Sequence, residues 1–303
     1  MPHSMHAIVA ENGRLTYRQV SRPGCGPAEL LLHVRAAGVQ PRHEWPAHPP
    51  AAGLPVPGLD VAGVVVAVGA AVNQFRVGDA VCALTDPVRR GGFAEYAVVP
   101  ARAAALIPAG LSFLEAAALP VAGLTAWRGL FDCAGLQAGQ RILIHGAAGG
   151  VGCLAVQLAL WQGAEVFGTT TTPHLSYVAS LGTLLTIDSA HQRFEAVVPD
   201  VDVVFDAAGG EWLNRSYAVL RPGGMLVSVV EEPDPAQLLG RQQRGVYCRP
   251  QADGIALTRL LQLAAAGSIC VKVGTTFPLA QAADALREAA KPHALGKVLL
   301  TVS

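Results

Sequence analysis

Lysine is scarce in this chain. Of its 22 basic residues only Lys272, Lys291 and Lys297 are lysines, all near the C-terminus. Anion contacts earlier in the sequence therefore fall to arginine, histidine, hydroxyls and backbone amides. An excess of either charge is missing too, since 22 basic residues face 22 acidic ones and the formal net charge is +0. Nothing in that balance draws the protein onto a phosphate backbone, so no nucleic-acid partner is expected. The six cysteines form no CxxC and no Cys/His cluster with metal spacing. Scattered single thiols suit a reducing compartment. The sequence has no apolar run of the length that spans a bilayer, because Gly63, Gly69 and Pro120 interrupt the most apolar regions. The opening MPHSMHAIVAENG has no apolar core of signal-peptide length. A soluble cytoplasmic protein without a membrane partner is the expectation.

What is present is apolar material. Hydrophobic residues make up 51% of 303 residues and charged residues 15%, enough for large cores and incompatible with a disordered chain. The length suits two domains of about 100–200 residues each. Between residues 6 and 107 the pattern is of short strands bounded by Gly and Pro, at His6–Ala10, Glu29–Ala36, Val61–Val68 and Asp79–Leu84. The prolines of Gly53–Gly58 exclude a central strand or a helix there. After residue 110 the pattern changes. Ser112 with Glu115 three residues on predicts a capped helix, and Thr125–Ala134 reads as a second helical stretch.

Strand and helix patterns then alternate, through Arg141–His145, Val151–Trp161, Glu165–Thr169, Tyr177–Leu181, Leu184–Ile187, Val201–Asp206, Trp212–Leu220 and Met225–Val230. Continuous apolar strands between amphipathic helices predict a parallel sheet covered on both faces. Two further helices near 255–266 and 279–290, with strands near 271–276 and 297–302, complete the chain.

The most informative stretch runs from Ile142 to Gly152, ILIHGAAGGVG. A buried strand enters a glycine-dense turn that opens a helix. Glycine is needed because side chains would hold a diphosphate away from the amides at the helix N-terminus. The spacing Gly146-x-x-Gly149-x-x-Gly152 is a variant of GxGxxG, strengthened by the strand before it, the helix after it and the second strand at Glu165–Thr169. At the end of that second strand a dinucleotide without a 2′-phosphate usually meets Asp or Glu. Here the chain carries Gly168–His174, GTTTTPH, with no carboxylate. That favours NADP(H) over NAD, with Thr169, Thr170, Thr171 and His174 as donors, although no Lys or Arg stands in the loop.

An ordered set of segments carries a resemblance along nearly the whole chain. They are Ala36–Pro41 (AAGVQP), Pro57–Gly63 (PGLDVAG), Phe75–Val81 (FRVGDAV), Gly91–Ala97 (GGFAEYA), Ala116–Pro120 (AAALP), Leu124–Trp127 (LTAW), His145–Gly152, Leu220–Gly224 (LRPGG) and Gly296–Leu300 (GKVLL). In these the chain resembles a zinc-independent medium-chain dehydrogenase/reductase of the quinone oxidoreductase (zeta-crystallin-like) family. The resemblance implies an α/β protein in which a GroES-like β domain precedes a doubly wound Rossmann parallel-sheet domain. Residues 1–120 would form the GroES-like catalytic domain, 121–254 the Rossmann NADP-binding domain, and 255–303 a return to the first.

The resemblance also assigns roles. The phosphate turn would be Ala148, Gly149, Gly150 and Val151. Thr125 would approach the nicotinamide, with the backbone of Val229, Val230 and Glu231 beside its amide. Ser189 stands near the 2′-phosphate where relatives place Tyr or His, and Lys297 is expected to reach the cofactor from the returning strand. Zinc relatives carry Cys where this chain has Gln40 and a His-Glu pair where it has Leu59 and Asp60. An amide, a leucine and one aspartate do not make a catalytic zinc site, so no metal is expected. Without that Lewis acid the readier acceptors are electron-poor, namely a quinone or an activated C=C.

At the substrate end the expected residues are Gln40 (Asn in most relatives), Trp45 (often Tyr), His43 as a general acid near neutral pH, and Tyr247. The family reading is an NADPH-dependent reductase of a small electron-poor acceptor, assembled as a homodimer. Two alternatives stay open: a dedicated biosynthetic enoyl or enone reductase, and a non-catalytic NADPH-binding protein.

Overall fold

The computed structural model describes residues 4–11, 13–40, 54–291 and 295–303. The chain divides into two compact units. Unit 1 contains Met1–Val121, Ala252–Gly267 and Val271–Ser303; unit 2 contains Ala122–Gln251 and Ser268–Cys270.

Unit 1 opens with an antiparallel hairpin, β1 (Ser4–Glu11) and β2 (Arg14–Ser21). There follow β3 (Glu29–Gly38), β4 (Asp60–Val68), β5 (Ala80–Leu84), β6 (Tyr96–Pro100) and β7 (Ala104–Leu106). Gly63 belongs inside β4 because a Cβ there would overlap the carbonyl oxygen of His33 on β3. The proline-rich stretch before β4 is irregular, held by Ala10 N donating to Pro55 O at 2.9 Å and Phe93 N to Pro57 O at 2.9 Å. Helix α1 (Phe113–Ala117) starts on the expected capping box: Ser112 accepts from the Glu115 amide, and the Glu115 carboxylate accepts from the Ser112 amide. Helix α2 (Pro120–Trp127) continues into a π-helical turn, Arg128–Cys133.

Unit 2 alternates β8 (Arg141–His145), α3 (Gly152–Trp161), β9 (Glu165–Thr170), α4 (Leu175–Ser180), β10 (Leu185–Asp188), β11 (Val201–Asp206), α5 (Glu211–Ser216), β12 (Leu220–Ser228), α6 (Pro235–Gly240) and β13 (Arg244–Tyr247). Its six strands are all parallel, in the order β10-β9-β8-β11-β12-β13. Numbered from β8, that is 3-2-1-4-5-6, the doubly wound order. The helix expected at Trp212–Leu220 ends earlier. Ser216 turns its hydroxyl back onto Trp212 O at 2.7 Å, and Leu220 is drawn into β12, paired with Val201.

The chain returns to unit 1 through α7 (Gly254–Ala265), β14 (Val273–Pro278), α8 (Ala282–Ala289) and β15 (Lys297–Thr301). The sheet of unit 1 then reads β14-β15-β3-β4-β5-β7, with β6 also on β3. Leu279, Ala282, Ala285 and Leu300 from this last segment share one core with Leu30, Leu32, Val61, Val65 and Phe93. Unit 2 has its own core on one face of its sheet, with Leu143, Phe167, Ile187, Phe194, Val204 and Leu226. Among the described residues no helix is long and apolar enough to cross a membrane.

Candidate active site

In unit 2 the strand order reverses between β8 and β11, and ligands of open parallel sheets bind at the carboxyl ends of strands at such a point. The glycine turn is there. Gly146 leaves β8 with φ +70, a conformation that costs glycine little. Gly149 N donates to Gly146 O at 3.0 Å and Cys153 N to Gly149 O at 2.9 Å, while Ala147 N ties the turn to β9 through Thr169 O at 2.9 Å. A Cβ at Gly152 would overlap the Gly146 carbonyl oxygen and lie 2.8 Å from its carbon. Helix and turn pack this closely only because Gly152 has no side chain. Ala148 is buried, and Gly149, Gly150 and Val151 are half-buried at the start of α3. They lead directly into the ten-residue helix α3, whose first amides lack an intrahelical partner as at any helix start.

His145, the last residue of β8, is fully buried and explains one threonine. Its Nε2 lies 2.9 Å from Ser216 Oγ and its Nδ1 3.0 Å from Thr169 Oγ1. Ser216 already donates to Trp212 O, so Nε2–H donates to Ser216 and Nδ1 accepts from Thr169. Burial pushes the imidazole down to about 3, with the nearby Arg215 charge adding to it. The Thr169 hydroxyl, expected at the cofactor, is therefore turned inward onto His145. Thr170 is buried and Thr171 half-buried beyond it.

The neighbouring strand brings a carboxylate to this end of the site. Asp188 closes β10 in register with Thr170. Its Oδ2 accepts from Thr172 Oγ1 at 2.7 Å and lies 3.0 Å from His191 Nδ1, and its Oδ1 accepts from Ala190 N at 2.9 Å. The Thr172 hydrogen bond above all holds this carboxyl below its usual range. Ser189 is half-buried beside it, its amide on Thr170 O at 2.8 Å. The threonine loop carries no acid in its own sequence, but the fold places one against it, with an exposed histidine attached.

At the ends of β11 and β12 another network forms. Asp206 Oδ1 accepts from Ala208 N at 3.0 Å and Gly209 N at 2.8 Å; its Oδ2 accepts from Ser228 Oγ at 2.9 Å. Ser228 Oγ accepts in turn from Val230 N and Glu231 N, each at 3.2 Å. Val229 N donates to Asp206 O at 2.9 Å. The Glu231 carboxylate takes the amide of Gly210. Gly209 must be glycine, since at φ +77 its Cβ would meet Val230 Cγ1 at 2.5 Å. The backbone at Val229, Val230 and Glu231, expected beside a nicotinamide amide, is thus fixed from below by Asp206 and Ser228. Tyr247 ends β13 half-buried, with the Arg249 guanidinium 5.0 Å from its ring centroid. Thr125 is buried in α2.

Unit 1 contains a buried polar cluster of its own. Asp60, at 0% exposure, opens β4, and its Oδ2 accepts from Lys297 Nζ at 3.0 Å and from the Gln40 amide. Its Oδ1 accepts from Val121 N at 2.6 Å. Lys297, expected at the cofactor, has its ammonium on Asp60 within unit 1, where a buried cation needs a buried anion. Gln40 is buried at the end of β3. His43 and Trp45 lie outside the described residues. Among the described residues no three His, Cys, Asp or Glu side chains come together as metal ligands.

Sequence reasoning missed Asp188, His191, Asp206 and Ser228. A signal existed for Asp60 and Lys297, since each is a charge opening an apolar strand, Leu59-Asp60-Val61 and Gly296-Lys297-Val298. For Asp188 only the β9–β10 pairing reveals the neighbourhood.

Known proteins resemble this chain along most of its length. Residues 26–109 match the family described as alcohol dehydrogenase GroES-like domain, and residues 181–300 the one described as zinc-binding dehydrogenase. Over 91% of its length the chain is 37% identical to the Spectinabilin polyketide synthase system protein NorB of Streptomyces orinoci, of which it spans 13%. It is 34% identical to the chloroplastic NADPH-dependent alkenal/one oxidoreductase of Arabidopsis thaliana, over 90% of this chain and 72% of that protein. The solved quinone oxidoreductase from Coxiella burnetii superposes with a TM-score of 0.91 at 26% identity, covering 99% of this chain and 100% of that one. With a GroES-like sheet, a doubly wound sheet with its glycine turn, and relatives that are quinone and alkenal oxidoreductases, the chain belongs to the medium-chain dehydrogenase/reductase family.

Proposed function

We propose that this chain is an NADPH-dependent reductase of a quinone or an α,β-unsaturated carbonyl, working without a metal. The observation that carries the reading is the glycine turn from Gly146 to Gly152 at the reversal of strand order in unit 2. In this reading the amides from Ala148 to Val151 hold the diphosphate. Thr170, Thr171, Ser189 and the exposed His191 face the 2′-phosphate, with Asp188 already engaged by Thr172 and His191. The backbone at Val229, Val230 and Glu231 orients the carboxamide, on the base made by Asp206 and Ser228. NADPH, when bound, supplies the hydride. The protein's part is to position the acceptor and exclude water, with Gln40 as its polar contact.

Zinc does not fit the residues of unit 1. At the positions in question Gln40 offers an amide and Leu59 nothing, while Asp60 already accepts from three donors. A quinone or an enone is electron-poor enough to take hydride without a Lewis acid, and the names of the Arabidopsis and Coxiella relatives support both classes. A dedicated enoyl reductase is the second reading, favoured by the match to a polyketide synthase protein along 91% of this chain.

Calorimetric titration with NADPH and NADH tests the cofactor, and NADPH is expected to bind at least tenfold tighter. NADPH oxidation with a benzoquinone, a short 2-alkenone and an enoyl thioester tests the acceptor. Turnover with the thioester alone would favour the second reading. Binding with no turnover of any acceptor would overturn both and leave a non-catalytic cofactor-binding protein. A cytoplasmic homodimer completes the proposal, and light scattering on the purified chain at twice the monomer mass is the expected result.

A further inference from the structure

The threonine loop after β9 has no Lys or Arg of its own to meet a 2′-phosphate, and strand pairing brings a titratable cation to it from β10. Asp188 ends β10 in register with Thr170. In the turn that follows, Ala190 N donates to Asp188 Oδ1 at 2.9 Å and His191 N to Asp188 O at 3.2 Å. This turn carries the His191 ring back to the carboxylate, with Nδ1 3.0 Å from Asp188 Oδ2 and 3.3 Å from Thr172 Oγ1. A carboxylate only accepts, so Nδ1 carries the hydrogen. Thr172 Oγ1 in turn donates to Asp188 Oδ2 at 2.7 Å. The imidazole is thereby held in one tautomer beside the ends of β9 and β10. Both contacts use Nδ1, which leaves Nε2 as the nitrogen that gains or loses a proton, on a side chain that is 72% exposed.

We propose, on the reading of unit 2 as a dinucleotide site, that His191 determines specificity for the 2′-phosphate and that its charge state sets the preference between NADPH and NADH. In doubly wound sheets the ribose hydroxyls lie at the end of the second strand, which here is β9, the strand that Asp188 pairs beside. The Thr172 hydrogen bond holds the Asp188 carboxyl below its usual range, so Asp188 is ionised at neutral pH. With His191 neutral the pair keeps a single negative charge and repels a doubly charged phosphate. With Nε2 protonated the pair is neutral overall, and Nε2–H donates a charge-assisted hydrogen bond to a phosphate oxygen. A ribose 2′-hydroxyl carries no charge to answer it, so NADH binding stays level. Histidine is the side chain whose charge changes near neutral pH, and a bound phosphate favours its charged form. The other ionisable groups around the pair are few. The turn Thr172–His174 adds His174, and α4, packed on β10, adds Tyr177, whose phenol burial keeps neutral. Arg193 pairs with Glu195 at 3.7 Å, and Glu195 is bound by Arg215 at 2.5 Å.

Calorimetric titration of the whole chain with NADPH and with NADH, at about pH 7.5 in two buffers of different ionisation enthalpy, reads the protons exchanged on binding. NADPH is expected to bind with uptake of a fraction of a proton, and NADH with none. The ratio of the two affinities is expected to fall about tenfold from about pH 6.5 to about pH 8.5, because the proton is linked to the tighter ligand. His191→Gln should abolish the uptake and flatten the ratio over that range. His191→Lys, charged throughout, should keep NADPH preferred at the alkaline end without uptake. Equal uptake with both nucleotides, uptake retained in His191→Gln, or a wild-type ratio constant with pH would overturn the proposal while the dinucleotide reading stands. Absence of binding by both nucleotides would overturn the two together.

Discussion

Asp60 and Lys297 stand 237 positions apart in sequence and share one buried contact. Removing one partner leaves the other charge desolvated and alone, which costs about 3–5 kcal/mol. Lys297→Met is expected to lose that much in urea unfolding, and the double change Asp60→Asn with Lys297→Met to recover most of it. Equal losses for the single and double variants would mean the pair carries no coupling. His145 gives a pH signature of opposite origin. Its folded value of about 3 lies below the ordinary 6.5, so below pH 6.5 the unfolded chain takes up a proton that the folded one refuses. Stability is full above 6.5 and falls by about 1.4 kcal/mol for each pH unit on the way down to about 3. His145→Gln should flatten that slope between pH 6.5 and 5 in denaturant titrations. An unchanged slope would assign it to other groups. At this scale the sequence was legible where a residue acts through its own neighbours, as with Gly146 and Ser112. It was not legible where strand pairing supplies the partner, as with Asp188 against Thr172 or Lys297 against Asp60.

The turn from Gly146 to Gly152 could be read in advance because one element performs every step: strand end, left-handed exit, close return and helix start. Its glycines nevertheless do different work. A Cβ at Gly152 collides with backbone, whereas one at Gly149 has a single neighbour, Gly146 O, at 3.3 Å. Gly149→Ala is therefore expected to keep the thermal midpoint within a few degrees and to weaken NADPH binding by tenfold or more, through loss of close approach to the diphosphate. Gly152→Ala is expected to lower both, with destabilisation above about 2 kcal/mol as turn and helix are forced apart. If both variants bind NADPH as the wild type does, the turn is not the diphosphate cradle. Elements lying beyond such local signals were harder to read. Helix α5 stops short of its apolar pattern because Ser216 caps inward and β12 claims Leu220. β13 and α6 were not anticipated, since four- and six-residue elements leave too little periodicity to detect.

At the scale of the molecule the two units differ in how they are assembled from the chain. Unit 2 is almost continuous, Ala122–Gln251 with three residues from Ser268–Cys270. Those three are attached through Gln157, which accepts from Cys270 N at 2.6 Å and donates to Cys270 O at 3.1 Å. Unit 1 is assembled from three pieces. Its sheet is incomplete until β15 pairs with β3, its core until Leu279, Ala282 and Leu300 arrive, and Asp60 is without its counter-ion until Lys297 does. A fragment of residues 122–251 is therefore expected to fold, with cooperative thermal unfolding and NADPH-dependent stabilisation of about 2.7 kcal/mol at a hundredfold excess over Kd. A fragment of residues 1–121 is expected to remain unfolded by circular dichroism, because folding it would expose the edge of β3 and bury the Asp60 carboxylate without its counter-ion. Adding a second chain of residues 252–303 should rescue it, and Lys297→Met in that second chain should weaken the rescue more than tenfold. Independent folding of the 1–121 fragment would show that the returning segment is an accessory to the first unit, and that the buried pair forms only after its sheet is complete.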